Sequence, residues 1–225
     1  MSKDNIDFIL VRSRRKTIEI QIKRNGEVSV KAPIKCPIKT IEQFLTKKRK
    51  WIESKIALIE NTDHALRDSF AEGDSFSYLG RKIRLALTEG PDKPLELSEH
   101  TFFLDKRRLV DAKKVFIDWY KISALGVFQS RLALYEPKVG VRAAELKLSG
   151  ARHRWGSCSP KGVIKLNWKL IMAPLTIIDY VVVHELCHII HPNHSKKFWE
   201  SVGKTLPSFK APRKWIRTNG GLLDI

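Results

Sequence analysis

Cysteine is scarce in this chain. The three present, Cys36, Cys158 and Cys187, are an odd and scattered set. No disulfide framework is expected from them, and a reducing, cytoplasmic setting fits. Apolar runs long enough to span a bilayer are missing too, so no membrane helix is expected. The opening MSKDNIDFILVRSRRK has neither an apolar core of signal-peptide length nor a small-residue cleavage site, so no secretory leader is expected. Acidic residues are also in short supply: 24 Asp and Glu stand against 42 Lys and Arg, a net charge of +18. That surplus exceeds what solubility needs and points to acidic or polyanionic partners, nucleic acid among them. The plainer alternative is a basic surface with no dedicated ligand. Internal repeats and low-complexity tracts are absent, and 225 residues suffice for a sizeable core.

What the chain does have is concentrated between Thr176 and Val202, around His184-Glu185-Leu186-Cys187-His188, an HExxH. The run Ile177 to Ile190 is mostly apolar and long enough for a buried helix rather than a strand. Residues four apart share a helix face, so His184 and His188 can reach one ion. Glu185, about 100° round the helix, is placed to act on a water instead of on the metal. Pro192 disfavours helical geometry at His191 and ends the helix near Ile190, so the chain can turn and bring His194 back to the ion. Three protein ligands and one open position make a catalytic zinc site rather than a closed structural one. His191, at the helix end, and Glu200, on the next helix, are rivals to His194 as third ligand. A lone histidine in an apolar helix is more often a hydrogen-bonded core residue. Two histidines framing a glutamate are different, because burying all three without a metal would be costly.

VVVHELCHIIHPNHSKKFW resembles the signature of the YgjP-like metallopeptidase family. RHRWGSCSPKGVIKLNWKLIMAP (Arg152 to Pro174), LVRSRRKTIEIQI and YLGRKIRLAL (Tyr78 to Leu87) resemble the same family, so the likeness spans nearly the whole chain. It implies an α+β, zincin-like fold with one zinc ion in a cytoplasmic protein. His184, His188 and His194 would be the ligands and Glu185 the general base. The spacing from His188 to His194 is similar to that of metzincins, but His191 stands where those proteins carry a glycine. Residues 1–105 are then expected to form an N-terminal antiparallel β-rich region with one helix, and residues 106–225 the zincin-like catalytic domain.

Along the chain, Thr17–Ile22 and Glu27–Lys31 alternate as strands about an Asn25-Gly26 hairpin turn. Arg12 to Lys16 is expected as a solvated edge. A helix is expected from Thr40, as N-cap with Gln43 completing a capping box, to about Asn61. Its Lys47-Lys48-Arg49-Lys50-Trp51 run mixes cations and an aromatic, a composition that suits single-stranded nucleic acid. The expectation is nevertheless that Trp51 packs into the core while the cations face water. Asp63 to Gly73 is a connector. Short strands follow at Ser75–Leu79, Lys82–Leu87, Leu95–Ser98 and Thr101–Leu104, with loop at Glu89 to Pro94. Residues 108–135 form a long helix with a bend at Gly126, ending before Pro137. Glu145–Leu148 and Gly162–Asn167 are strands, separated by Arg154-Trp155-Gly156-Ser157-Cys158, a tight turn near the site. A strand at the rim of the metal cleft would let an extended peptide add to its edge. Helices are expected at Ser195–Leu206 and from Lys210 to Trp215.

The chemistry expected is zinc-dependent hydrolysis of an amide bond in a peptide or protein, with Glu185 moving the proton and Cys158 playing no nucleophilic part. The alternatives are a metal-dependent nucleotide or phosphoanhydride hydrolase, and a nucleic-acid-binding protein that zinc merely staples.

Overall fold

Alternating isoleucines and valines near the start of the chain build a three-stranded sheet from β1 (Ile9–Ser13), β2 (Glu19–Ile22) and β3 (Val28–Pro33). The structure, a computed structural model, describes residues 6–22, 26–60, 70–90, 93–151 and 154–225. It divides into two compact units, residues 1–67 and 68–225. In the first, the strand order is β1-β3-β2. The expected hairpin is there, β2 antiparallel to β3 with Ile20 opposite Val30, while β1 runs parallel to β3. Asn25 of its turn lies outside the described residues. Helix α1 (Ile38–Glu60) buries Ile41, Leu45 and Ile52 with Val28, Val30 and Ala32 of β3. It begins before Thr40: the Pro37 carbonyl accepts from the Thr40 and Ile41 amides, so Thr40 sits inside the first turn and the capping box does not form. Trp51 is not in the core. It is 42% exposed, because its helical position falls well to one side of the Ile41–Leu45–Ile52 stripe.

The second unit opens with β4 (Ser75–Tyr78), β5 (Arg81–Thr88), β6 (Leu95–Ser98) and β7 (Thr101–Asp105), in the order β4-β5-β7-β6. These strands were expected to be wholly antiparallel. The central pair β5 and β7 is parallel, since the chain passes from β5 to the outer strand β6 and turns back antiparallel to it as β7, between the two. Pro91 and Asp92 of the intervening loop lie outside the described residues, as do residues 63–69 of the expected connector. The β4–β5 turn takes positive φ at Leu79 (49°) and Gly80 (79°), the sign pattern of a tight hairpin. A Cβ at Gly80 would stand 2.8 Å from Pro174, and the Leu79 amide donates to the Ile171 carbonyl at 2.8 Å. Glycine thus lets the hairpin press against the segment that leads into the helix beginning at Leu175.

A 3-10 turn (Lys106–Asp111) leads into helix α2 (Ala112–Val139), which runs unbroken through Gly126 and includes Pro137 in its last turn. The stop signal is Gly140, left-handed at φ 77°, with its amide donating to the Glu136 carbonyl. Phe76 and Phe102 of the sheet stack and edge onto Phe116 of α2, with ring centroids 4.3 and 5.2 Å apart. One apolar core therefore joins this sheet to the helices, which is why the compact unit starts at Asp68 and not at residue 106. The change from strand to helix pattern near Lys106 marks an element boundary inside a unit.

A third sheet has the order β8-β10-β9, from β8 (Glu145–Ser149), β9 (Gly156–Cys158) and β10 (Val163–Asn167). β10 is parallel to β8 and antiparallel to β9, which is an edge strand. The stretch expected as a tight turn is thus a strand over Gly156–Cys158, and Arg152 and His153 before it lie outside the described residues. Helices α3 (Leu175–Ile190), α4 (Lys196–Thr205) and α5 (Lys210–Asn219) complete an α+β fold. α3 is buried on nearly every side, which overrides the poor helix propensity of Val181-Val182-Val183. It is clamped to α2 by Arg131, whose Nε and a terminal nitrogen donate to the two Asp179 oxygens at 2.6 and 2.9 Å. Among the described residues no helix is long and apolar enough to cross a membrane.

Candidate metal centre

α3 supplies His184, Glu185 and His188 from one turn, and it ends as the sequence predicts. His191 leaves the helical region at φ −123°, ψ 97°, ahead of Pro192. The chain reverses and Ser195 caps α4, its side chain accepting from the Phe198 amide. That reversal carries His194 to the other two rings. One ring nitrogen from each of His184, His188 and His194 lies within 4.8 Å of the others. The Nε2 atoms of His184 and His194 face each other at 3.0 Å. Phe198 stacks on His188 with centroids 4.5 Å apart, and Trp199 stacks on His194 at 5.6 Å. Of the rivals, His191 turns its carbonyl to the cluster, and Glu200 is exposed on α4 beside Lys196 at 3.7 Å.

The donor set fits a divalent metal. His188 Nδ1 donates to the His191 carbonyl at 2.9 Å, which fixes the tautomer and leaves Nε2 with a free lone pair. Burial, then the neighbouring His188, His194 and Arg213 charges, push His184 down to about 3. Burial first, with His188 and Arg213, also lowers His194. Neutral imidazoles are the form that binds metal. All three ligand candidates carry nitrogen, which suits zinc.

Glu185 is 5% exposed, and burial pushes its carboxyl up to about 8. One of its oxygens, Oε2, is buried with no hydrogen-bond partner among the described residues. Gly156 makes room for it: a Cβ there would stand 2.5 Å from Glu185 Oε1 and 2.8 Å from its carboxyl carbon. The sequence carries no direct sign of this contact beyond a glycine in an otherwise side-chain-bearing strand. Glu185 and the three histidines open into a cleft of about 610 Å³, whose other wall includes Arg154, Ser157, Cys158 and Pro160. Burial, with Glu185 nearby, raises the Cys158 thiol, which weakens it as a nucleophile.

Three further residues shape the centre. Asn167, 3% exposed, donates through Nδ2 to the Ala151 and Arg154 carbonyls and accepts from the Lys169 amide, tying down the approach to β9. Tyr180, one turn before His184, lies 5.8 Å from it ring to ring. Arg213 of α5 sits 4.1 Å over the Trp199 ring that backs His194. A buried asparagine closing a strand was readable in principle. Arg213 arrives from an element distant in sequence and was not.

An α+β domain whose buried helix presents an HExxH, joined by a third imidazole from the turn beyond it, makes a candidate metallohydrolase. The chain belongs to the YgjP-like family: the model of its metallopeptidase domain matches residues 16–219. No curated protein matches. Among solved structures, the metallopeptidase zymogen abylysin of Pyrococcus abyssi is similar at 22% identity and a TM-score of 0.39, over 41% of this chain and 93% of that one.

Proposed function

We propose that this protein is a zinc-dependent peptidase in which His184, His188 and His194 hold the ion and Glu185 is the general base. The observation that carries the reading is Glu185 itself. Its carboxyl is buried, rests against Gly156, opens onto the cleft, and shares a helix turn with two of three converging imidazoles. A bound zinc ion supplies Lewis acidity, lowering the pKa of water toward about 7 and polarising a carbonyl. Glu185 takes the proton of the attacking water and passes it to the leaving amide nitrogen. His188 is held in the ligating tautomer by the His191 carbonyl, and Phe198 and Trp199 restrict His188 and His194.

The substrate enters as an extended peptide or protein segment and adds to the β9 edge. Asn167 N donates to the Trp155 carbonyl and Ser159 N to the Val163 carbonyl, both spent on β10. By antiparallel alternation the main-chain groups of Gly156 and Cys158 face away from β10, toward an added strand. Three ligands beside an open cleft disfavour the zinc-staple alternative, which needs a fourth protein ligand. Free cysteines fit the cytoplasm as its site of action.

Glu185→Gln is expected to keep stoichiometric zinc and lose turnover on a peptide library, whereas His184→Ala or His188→Ala loses the zinc. Cleavage by the Glu185→Gln protein would refute the general-base role, and stoichiometric zinc in His194→Ala would remove that ligand from the set.

A further inference from the structure

One flank of α1 has no part in the peptidase chemistry. Phe44, Lys48, Trp51 and Lys55 recur at three- and four-residue spacing, with Lys47 alongside. Trp51 is 42% exposed, and Ile20 of the edge strand β2 joins Phe44, Lys48 and Trp51 around a shallow cavity of about 180 Å³. Lys47 and Lys48 are exposed and Lys55 is half-buried, and none has a carboxylate partner among the described residues. The helix sorts its charges. Glu42 and Glu53 lie on the opposite flank, where Glu53 faces Arg49 at 3.8 Å, and the Trp51 flank carries no acid. Residues 1–67 hold sixteen Lys and Arg against eight Asp and Glu.

We propose that this flank binds single-stranded nucleic acid, with a base stacked on Trp51 and backbone phosphates on Lys47, Lys48 and Lys55. The partly exposed indole offers a flat apolar face, and an aromatic framed by lysines that have no carboxylate partner among the described residues matches a ligand that alternates flat bases with negative charges. A duplex, with its bases already stacked, offers that indole no free base face. An acidic peptide would meet the lysines and leave the indole uncovered. The proposal is independent of the zinc chemistry, and holds whether or not the cleft cleaves peptides.

The test is fluorescence anisotropy of the 225-residue chain with a labelled oligothymidylate of about twenty nucleotides, repeated across a salt series. The unmodified chain should bind it more tightly than a duplex of equal length. Trp51→Ala should weaken binding about tenfold or more, and Trp51→Phe should retain most of it. The combined Lys47→Gln, Lys48→Gln, Lys55→Gln protein should lose about 2 from the slope of log affinity against log salt, at about 0.7 per phosphate contact. Removing equal charge by Lys39→Gln, Lys50→Gln and Lys161→Gln should leave the slope nearer the unmodified value. Circular dichroism confirms that each variant is folded. No binding by the unmodified protein, equal binding by the Trp51→Ala protein, or binding only to anionic vesicles would overturn the proposal.

Discussion

Glu185 carries a conflict between stability and chemistry that the pH dependence of the metal-free protein should expose. Burial lifts its carboxyl from 4.5 to about 8, so the fold prefers the protonated form while the unfolded chain ionises it. Stability from this group is complete below about 4.5 and is lost as pH rises toward about 8. Glu185→Gln removes the titration. The metal-free variant should therefore melt at a higher temperature than the metal-free parent near pH 8, and the gap should close toward pH 5. An unchanged gap across that range, read by thermal unfolding in chelator, would mean the carboxyl is not buried as described. A bound cation favours the carboxylate, so zinc should flatten the parent's slope.

Gly156 is the second residue whose replacement is informative. Its missing Cβ is space that the Glu185 carboxyl occupies. On the role proposed for Glu185, Gly156→Ala should displace its carboxyl and cut turnover about a hundredfold or more, while zinc content stays near one equivalent. Loss of zinc together with activity would place the damage in the ligands instead.

At the scale of elements, α3 was the most legible part of the chain. Its apolar run, the HExxH spacing and Pro192 each encode a local constraint, and α3 ends where they require. The hairpin β2–β3 was equally plain, from alternation alone. β9 was not, because three residues including a glycine show no period. Its strand character comes from the pairing of Gly156, Ser157 and Cys158 with β10. Trp51 failed for the opposite reason: residue type argued for burial, and only its angle on the helix places it outside. If β9 receives substrate, a peptide with one N-methylated amide at a bond it offers to Gly156 or Cys158 should lose about threefold to tenfold in kcat/KM, the worth of one hydrogen bond. Methylating an adjacent amide should change little, because alternate groups of a strand face away from the edge. Equal losses at every position would argue against strand addition.

Across the whole molecule, the grouping of the three imidazoles was easier to read from the sequence than the partition of the chain. The HExxH and His194 lie within eleven residues of one another in sequence, so helix geometry and one turn suffice to gather them. The unit boundary depends on which helix covers the β4–β7 sheet, and that is decided by aromatic contacts such as Phe76 with Phe116, forty residues apart. The parallel pairing of β5 with β7 is non-local in the same sense. The charge surplus belongs to the molecule as a whole, and in the first unit it includes Lys48 beside Trp51.

The most direct test of the centre is X-ray absorption at the zinc edge on the zinc-loaded protein. Three imidazole nitrogens and one exchangeable oxygen at about 2.0–2.1 Å, with no sulfur, are expected, and the Glu185→Gln protein should give the same shell. A sulfur near 2.3 Å, as Cys158 would supply, or four protein ligands with no exchangeable position, would contradict the account.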